Sequence, residues 1–133
     1  MKAHELRIGN YVEIFGVQKV ISINSKKIKV ESEKKDGSVT REKVPLFSAS
    51  LKPIPLTEKW LKKLSPQVKD FGSNTFGIGR FQFIWKASYK YWYVVDDMSE
   101  AYITKIEFVH EYQNFCFVMN GQELKLASDS AQI

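Results

Sequence analysis

Near its C-terminus the chain reads FVHEYQNFCFVMNGQEL, from Phe108 to Leu124, and His110, Gln113 and Asn114 form its sharpest polar cluster. Amide side chains can orient an imidazole for general base work, but no nucleophile lies nearby in sequence to receive its help. The plain alternative is a helix whose polar face hydrogen-bonds a neighbouring strand, and structural hydrogen bonds far outnumber catalytic ones. Cys116 is the only cysteine. It sits between Phe115 and Phe117, where a thiol reads as a small core hydrophobe. His110 lies six positions away, on a different part of the helix surface.

Asp96 and Asp97, with Glu100, are the candidate cation ligands. Adjacent aspartates on a strand point to opposite faces and chelate poorly as a pair, and no Asp-x-Asp-x-Asp spacing follows. The reading here is a solvated turn. With two histidines, His4 and His110, and one cysteine, a zinc site is excluded as a working idea. The residues call for no cofactor and no metal, and they offer no catalytic constellation.

Charge and aromatic content are segregated. Residues 1–55 carry 11 Lys/Arg and 6 Asp/Glu, leaving 9 and 9 for residues 56–133, so the whole formal excess of +5 lies in the first part. Aromatics run the other way, with three in residues 1–55 (Tyr11, Phe15, Phe47) and fifteen afterwards. Single-strand nucleic-acid binders interleave the two kinds of residue, so this segregation argues against that class. The basic set Lys26, Lys27, Lys29, Lys34, Lys35, Arg41 and Lys43 could contact phosphates. Glu31, Glu33, Asp36 and Glu42 dilute its field, and lysines also protect edge strands.

The elements that must position these residues follow from periodicity. Gly9-Asn10, Gly16, Asn24-Ser25 and Asp36-Gly37 are turn signals that divide residues 1–55 into short strands. Val17, Lys19, Ile21 and Ile23 alternate with Gln18, Val20 and Ser22, and Ile28 and Val30 face inward. The expectation is an SH3-like small β-barrel over residues 1–55. Pro53 and Pro55 then force an extended connector. Thr57 is an N-cap, Leu56 and Leu61 form a hydrophobic staple, and Ser65-Pro66 ends a helix with Trp60, Leu61 and Leu64 on one face.

In residues 56–133, Gly72 to Gly79 reads as a loop feeding a strand. RFQFIWK places Phe81, Phe83 and Trp85 on one face. YKYWYVVDD places Tyr89, Tyr91, Tyr93 and Val95 on one face and Trp92 and Val94 on the other. A turn lies near Ala87-Ser88, and Ala101 to Phe108 is a third strand. Val109, Tyr112, Phe115, Cys116 and Met119 make a helix stripe ending at Gly121, against the rival reading of Asn120-Gly121 as a hairpin turn. On that helix His110, Gln113, Asn114 and Phe117 face away from the stripe or lie at its edge. The whole is an α+β protein: the barrel, the connector helix, an antiparallel aromatic sheet, and a C-terminal helix packed on that sheet. The connector is too short for a flexible linker, which implies that the two parts pack together.

Three segments carry a resemblance: LRIGNYV (Leu6–Val12), LKPIPLTEKWL (Leu51–Leu61) and VHEYQNFCFVMNGQEL (Val109–Leu124). Together they resemble a large family of small uncharacterised proteins of Bacteroides-like gut bacteria and their prophages and mobile elements. Its members show PIPLTEEWL-like and VHxLQNLYFALTGEEL-like segments. Tyr112 stands where leucine is common in that family, and Asn120 where threonine is common. The resemblance implies a phage or mobile-element context and brings no activity and no catalytic residue.

The expectation for function is a non-enzymatic interaction module with a protein partner or a second copy of itself. Its candidate partner-binding residues are Trp85, Tyr91, Trp92, His110, Gln113 and Asn114. Trp92 is the expected centre of an exposed aromatic patch, because it opposes the tyrosine face of its own strand. The alternative is nucleic-acid binding through Lys26, Lys27, Lys29, Arg41 and Lys43. The lone cysteine fits a reducing compartment. MKAHELRIGN lacks an apolar stretch of the kind a secretory signal needs, and no run is long enough to span a membrane, so a cytoplasmic location is expected.

Overall fold

The computed structural model of the chain describes residues 5–34, 36–45, 48, 50–121 and 123–126. His4, Lys35 and Phe47 lie outside the described residues. The chain divides into two units. The first comprises Met1–Pro55 and Phe108–Glu123; the second comprises Leu56–Glu107 with the end of the chain from Leu124. One division between the units falls at the proline-rich connector, after Pro55. The C-terminal helix, however, belongs to the first unit and not to the aromatic sheet.

In the first unit four strands form an antiparallel meander: β1 (Tyr11–Glu13), β2 (Val17–Ile23), β3 (Lys27–Glu33) and β4 (Val39–Pro45), in that spatial order. Its turns are built by side chains as the sequence suggests. Asn24 Oδ1 accepts from the N–H groups of Lys26 and Lys27, both at 2.8 Å. Asp36 Oδ1 accepts from Ser38 N at 2.8 Å and from Ser38 Oγ at 2.6 Å. The core is Val12, Val20, Ile28, Val30 and Val44, with Leu6, Ile14 and Leu51.

Plain alternation misplaces β2. Val17 is exposed and Gln18 and Val20 are buried, and a bulge between Val20 and Ser22 then shifts the register so that Ile23 also reaches the core. The expected closed barrel is not seen either. Among the described residues β1 and β4 do not pair, and the sheet stays open. Lys52 instead pairs with Glu13, through Glu13 N to Lys52 O at 2.8 Å and Lys52 N to Glu13 O at 2.9 Å, and so covers the outer edge of β1.

Helix α2 (Val109–Asn120) completes this unit. Glu111 reaches back to the Phe108 N–H at 3.0 Å. Gly121, at φ 67°, ends the helix and donates to Phe117 O at 2.7 Å. This left-handed position is what glycine supplies without strain, and it settles the helix over the rival hairpin.

In the second unit α1 (Glu58–Leu64) is capped by Thr57, whose Oγ1 accepts from Trp60 N at 3.3 Å. Leu61 and Leu64 are its buried face. Five antiparallel strands follow in sequence order: β5 (Lys69–Gly72), β6 (Thr75–Ile78), β7 (Phe81–Lys86), β8 (Tyr91–Asp96) and β9 (Tyr102–Ile106). The stretch from Gly72 to Gly79 is thus not a loop. Ser73 (φ 53°) and Asn74 (φ 59°) form a two-residue left-handed turn of the hairpin type, and Thr75–Ile78 is a strand. Glycine at 77 hides that strand from a propensity reading, but it is there for packing. A Cβ at Gly77 would fall 2.5 Å from the Phe71 ring. The inner face of the sheet buries Phe76, Phe81, Phe83, Trp92, Val94 and Ile106. Among the described residues no helix is long and apolar enough to cross a membrane.

Candidate functional site

The polar cluster of α2 is turned inward and hydrogen-bonds the start of β1 and the residues before it, in keeping with the plain alternative for this helix. His110 and Gln113 have no exposed surface. Gln113 Oε1 accepts from Tyr11 N at 2.8 Å, and its Nε2 donates to Gly9 O at 2.9 Å. Asn114 Oδ1 accepts from Asn10 Nδ2 at 2.8 Å and from Arg7 Nη1 at 3.3 Å, and its Nδ2 donates to Glu5 O at 2.8 Å. The cause lies in the segment before β1. Its backbone has no full ladder partner, and an amide offers both a donor and an acceptor to satisfy it. Arg7 closes the cluster, with its guanidinium 3.7 Å above the Phe117 ring and 2.6 Å from Glu123. This arrangement is a clamp between helix and turn, and its groups are occupied by one another.

His110 stacks on Phe108, with ring centroids 5.9 Å apart, and its Nε2 lies 3.4 Å from Glu5 Oε2. Its Nδ1 has no hydrogen-bond partner among the described residues. Burial pushes its pKa below the ordinary 6.5, although Glu5 and Glu111 pull the other way. The unfolded chain therefore takes up this proton first, and stability falls as pH drops through the ordinary imidazole range. Urea midpoints between pH 7.5 and 5.5 should decline for the wild type and lose part of that slope in His110→Gln. An unchanged slope would show that His110 does not titrate on unfolding.

The other candidate groups separate. Burial pushes the Cys116 thiol up to about 11, so it stays protonated at neutral pH. Asp96 caps the turn before β9, accepting from Met98 N at 2.9 Å and Ser99 N at 3.0 Å, while Asp97 accepts from Gln82 Nε2 at 2.9 Å. The two carboxylates serve different partners. Among the described residues no three His, Cys, Asp or Glu side chains are grouped to hold a metal ion.

Of the basic set, Lys27, Lys29 and Lys43 line one shallow hollow of ≈ 290 Å³ with Ser22, Asn24 and Ile28. Lys29 stands directly opposite Lys43 across the β3–β4 pair. Arg41 is not part of it, because it pairs with Glu31 at 3.1 Å. Lys26 lies in the preceding turn and is exposed.

The sheet of the second unit brings Trp85 and Trp92 together, with ring centroids 5.2 Å apart. Trp92 is not an exposed centre: it is 3% exposed, its Nε1 donates to Leu56 O at 2.8 Å, and Phe76 meets it edge-on at 5.8 Å. The inner face of the sheet takes it because β8 alternates, and the tyrosines occupy the outer face. Trp92 and half-buried Trp85 line a cleft of ≈ 240 Å³ with Leu56, Thr57, Glu58, Asn74 and Phe76. Sequence reasoning finds the two indoles but misses Phe76 and Asn74, because the hairpin carrying them reads as a loop. Tyr91 lies on the opposite face of the sheet, and His110, Gln113 and Asn114 lie in the first unit.

A scan against family models and searches of curated proteins and of solved structures each find no match to this chain. The geometry therefore carries the functional argument. A cleft of this size and apolar character, walled by aromatic rings with the carboxylate of Glu58 at its edge, has room for one apolar or aromatic side chain.

Proposed function

We propose that the protein is a non-enzymatic interaction module, an accessory protein of a phage or mobile element working in the cytoplasm, and that the cleft beside Trp85 receives an anchor side chain from a protein partner or a second copy. The observation that carries this reading is the aromatic cleft itself, apolar and backed by the buried, hydrogen-bonded Trp92. The three-segment resemblance supports the phage or mobile-element context. The Glu13–Lys52 bridge supports an SH3-like architecture for the first unit, since it draws the chain after β4 alongside β1 as a small barrel requires.

Trp85→Ala is the test, because it removes a cleft wall and leaves the floor in place. Hot-spot aromatics contribute about 2 kcal/mol or more, so association should weaken roughly 30-fold. Sedimentation over a wide concentration range and affinity purification from a host carrying the element read this out. A wild type that is monomeric throughout and retains the same proteins as Trp85→Ala would defeat the reading.

A second reading, nucleic-acid binding through Lys26, Lys27, Lys29, Arg41 and Lys43, is favoured by one observation. Like charges directly opposite on neighbouring strands are destabilising, and Lys29 faces Lys43 at such a position. A bound phosphate would relieve that repulsion. Arg41 contributes less to this reading, being paired with Glu31.

A further inference from the structure

The outer face of the second unit's sheet carries four tyrosines in one row. Tyr89 stacks on Tyr91 (centroids 5.5 Å apart, planes at 16°), Tyr91 lies 5.2 Å from Tyr93, and Tyr102 meets Tyr93 edge-on at 5.5 Å. The core does not need these rings, because the inner face of the same strands is already filled by Phe81, Phe83, Trp92 and Val94. An outward face of an antiparallel sheet ordinarily carries small polar or charged residues. Here the ends of the row are open, with Tyr89 65% and Tyr102 60% exposed.

Cations sit on the row. Lys105 Nζ lies 5.0 Å from the centroid of Tyr91, and Lys86 Nζ lies 5.2 Å from that of Tyr93. Lys90 lies in the β7–β8 turn, between Tyr89 and Tyr91 in the chain. The acids on these strands and turns are Glu107 beyond β9, Glu100 in the β8–β9 turn two residues before Tyr102, and Asp96 and Asp97 at the far end of β8, where Arg80 lies 3.5 Å from Asp96. The hydrogen bond from Tyr91 Oη to Tyr93 Oη, 3.2 Å long, pushes the Tyr91 pKa up to about 12, so the phenol at the middle of the row stays neutral.

The geometry points to this face as a stacking platform for single-stranded nucleic acid. Rings offer sequence-tolerant surfaces for bases, and ammonium groups within 5–6 Å of the same rings offer contacts to the phosphates between them. The overall segregation of basic and aromatic residues along the chain hides this pairing, because the lysines concerned are few: Lys90 stands between Tyr89 and Tyr91 and Lys86 just before them, while Lys105 joins Tyr91 only in space. Charge decides among the occupants. A second copy packed symmetrically on this face would set lysines against lysines, and an apolar peptide would have to strip the ammonium groups of water for no return. A duplex keeps its bases stacked inside and offers no ring faces. The platform lies on the face opposite the Trp85 cleft and stands independently of it.

Fluorescence anisotropy with labelled single strands of about twelve nucleotides, DNA and RNA, tests the proposal alongside a duplex of the same sequence. Single strands should bind more tightly than duplex, with an affinity that falls with salt. The exposed pair Tyr89→Ala/Tyr102→Ala should weaken binding at least about tenfold, and Tyr89→Phe/Tyr102→Phe should restore it. Lys86→Gln/Lys105→Gln should weaken binding and make the logarithmic salt slope shallower by about 1.4. The triple variant Lys27→Gln/Lys29→Gln/Lys43→Gln should bind as the wild type does. Absence of binding at low salt, equal affinity for duplex, or indifference to the tyrosine pair would overturn the platform. Loss of binding in the triple variant alone would overturn it too and hand the role to the first unit's lysines.

Discussion

Gln113→Leu should destabilise the first unit by about 3 kcal/mol, although leucine fills nearly the same volume and is the more hydrophobic residue. The glutamine is wholly buried, and its amide accepts from Tyr11 N and donates to Gly9 O. Leucine leaves both backbone groups unpaired. Each such buried orphan costs about 1–3 kcal/mol, and the gain from the added apolar carbons offsets only part of it. Gln113→Glu should be at least as damaging, because a carboxylate cannot donate to Gly9 O and carries its charge into a buried place. The readout needs care. Trp60, Trp85 and Trp92 all belong to the second unit, so tryptophan fluorescence reports on that unit and far-UV circular dichroism on both. A urea midpoint shifted in the dichroism at unchanged slope is the expected result. A loss below about 1 kcal/mol would mean that water reaches the two backbone groups once the amide is gone.

That same clamp marks where sequence reading stops. Local rules work well wherever the partner is near in the chain. Thr57 caps α1, Asn24 and Asp36 build their turns, and Gly121 ends α2, each as its residue type demands. Periodicity works for β7 and β8, whose alternating faces come out as read. It fails on α2 because the polar residues there are buried by partners about a hundred positions away, and no spacing within the helix records that. It also fails where a backbone irregularity resets the count. The bulge after Val20 reverses the faces of β2, and the Ser73-Asn74 turn makes a hairpin from a stretch whose glycines suggest a loop. Nothing in the spacing of α2 records which unit it joins. The helix joins the first unit because Gln113 and Asn114 bond the turn before β1.

The candidate site was legible in part for the same reasons. Two tryptophans on neighbouring strands announce an aromatic cluster, but not whether a given ring is wall or floor. Trp92 faces Trp85 across the β7–β8 register, and both rings lie on the inner side of the sheet. Its opposition to the tyrosine face, read from the sequence as a sign of exposure, is what buries it, because the tyrosine face is the outer one.

Trp92→Ala should therefore be a stability variant and not a binding variant. Removing a buried aromatic side chain costs about 3–5 kcal/mol through lost burial and the cavity left behind. Here it also leaves Leu56 O without its 2.8 Å partner, in the stretch that leads into α1. A loss of that size is comparable with the whole net stability of a small domain, about 5–15 kcal/mol. Trp92→Phe should cost less, about 1–3 kcal/mol, since it keeps a ring against Phe76 and Trp85 and gives up chiefly the hydrogen bond. Thermal unfolding followed by circular dichroism ranks the two. The ordering matters for any binding experiment on the cleft. If Trp92→Ala lowers the midpoint steeply and Trp85→Ala barely moves it, a loss of association in Trp85→Ala reports on the cleft wall itself. If Trp92→Ala were harmless, the ring would not be the packed floor that its burial and its bond to Leu56 describe, and the cleft would have no fixed shape with which to select a partner.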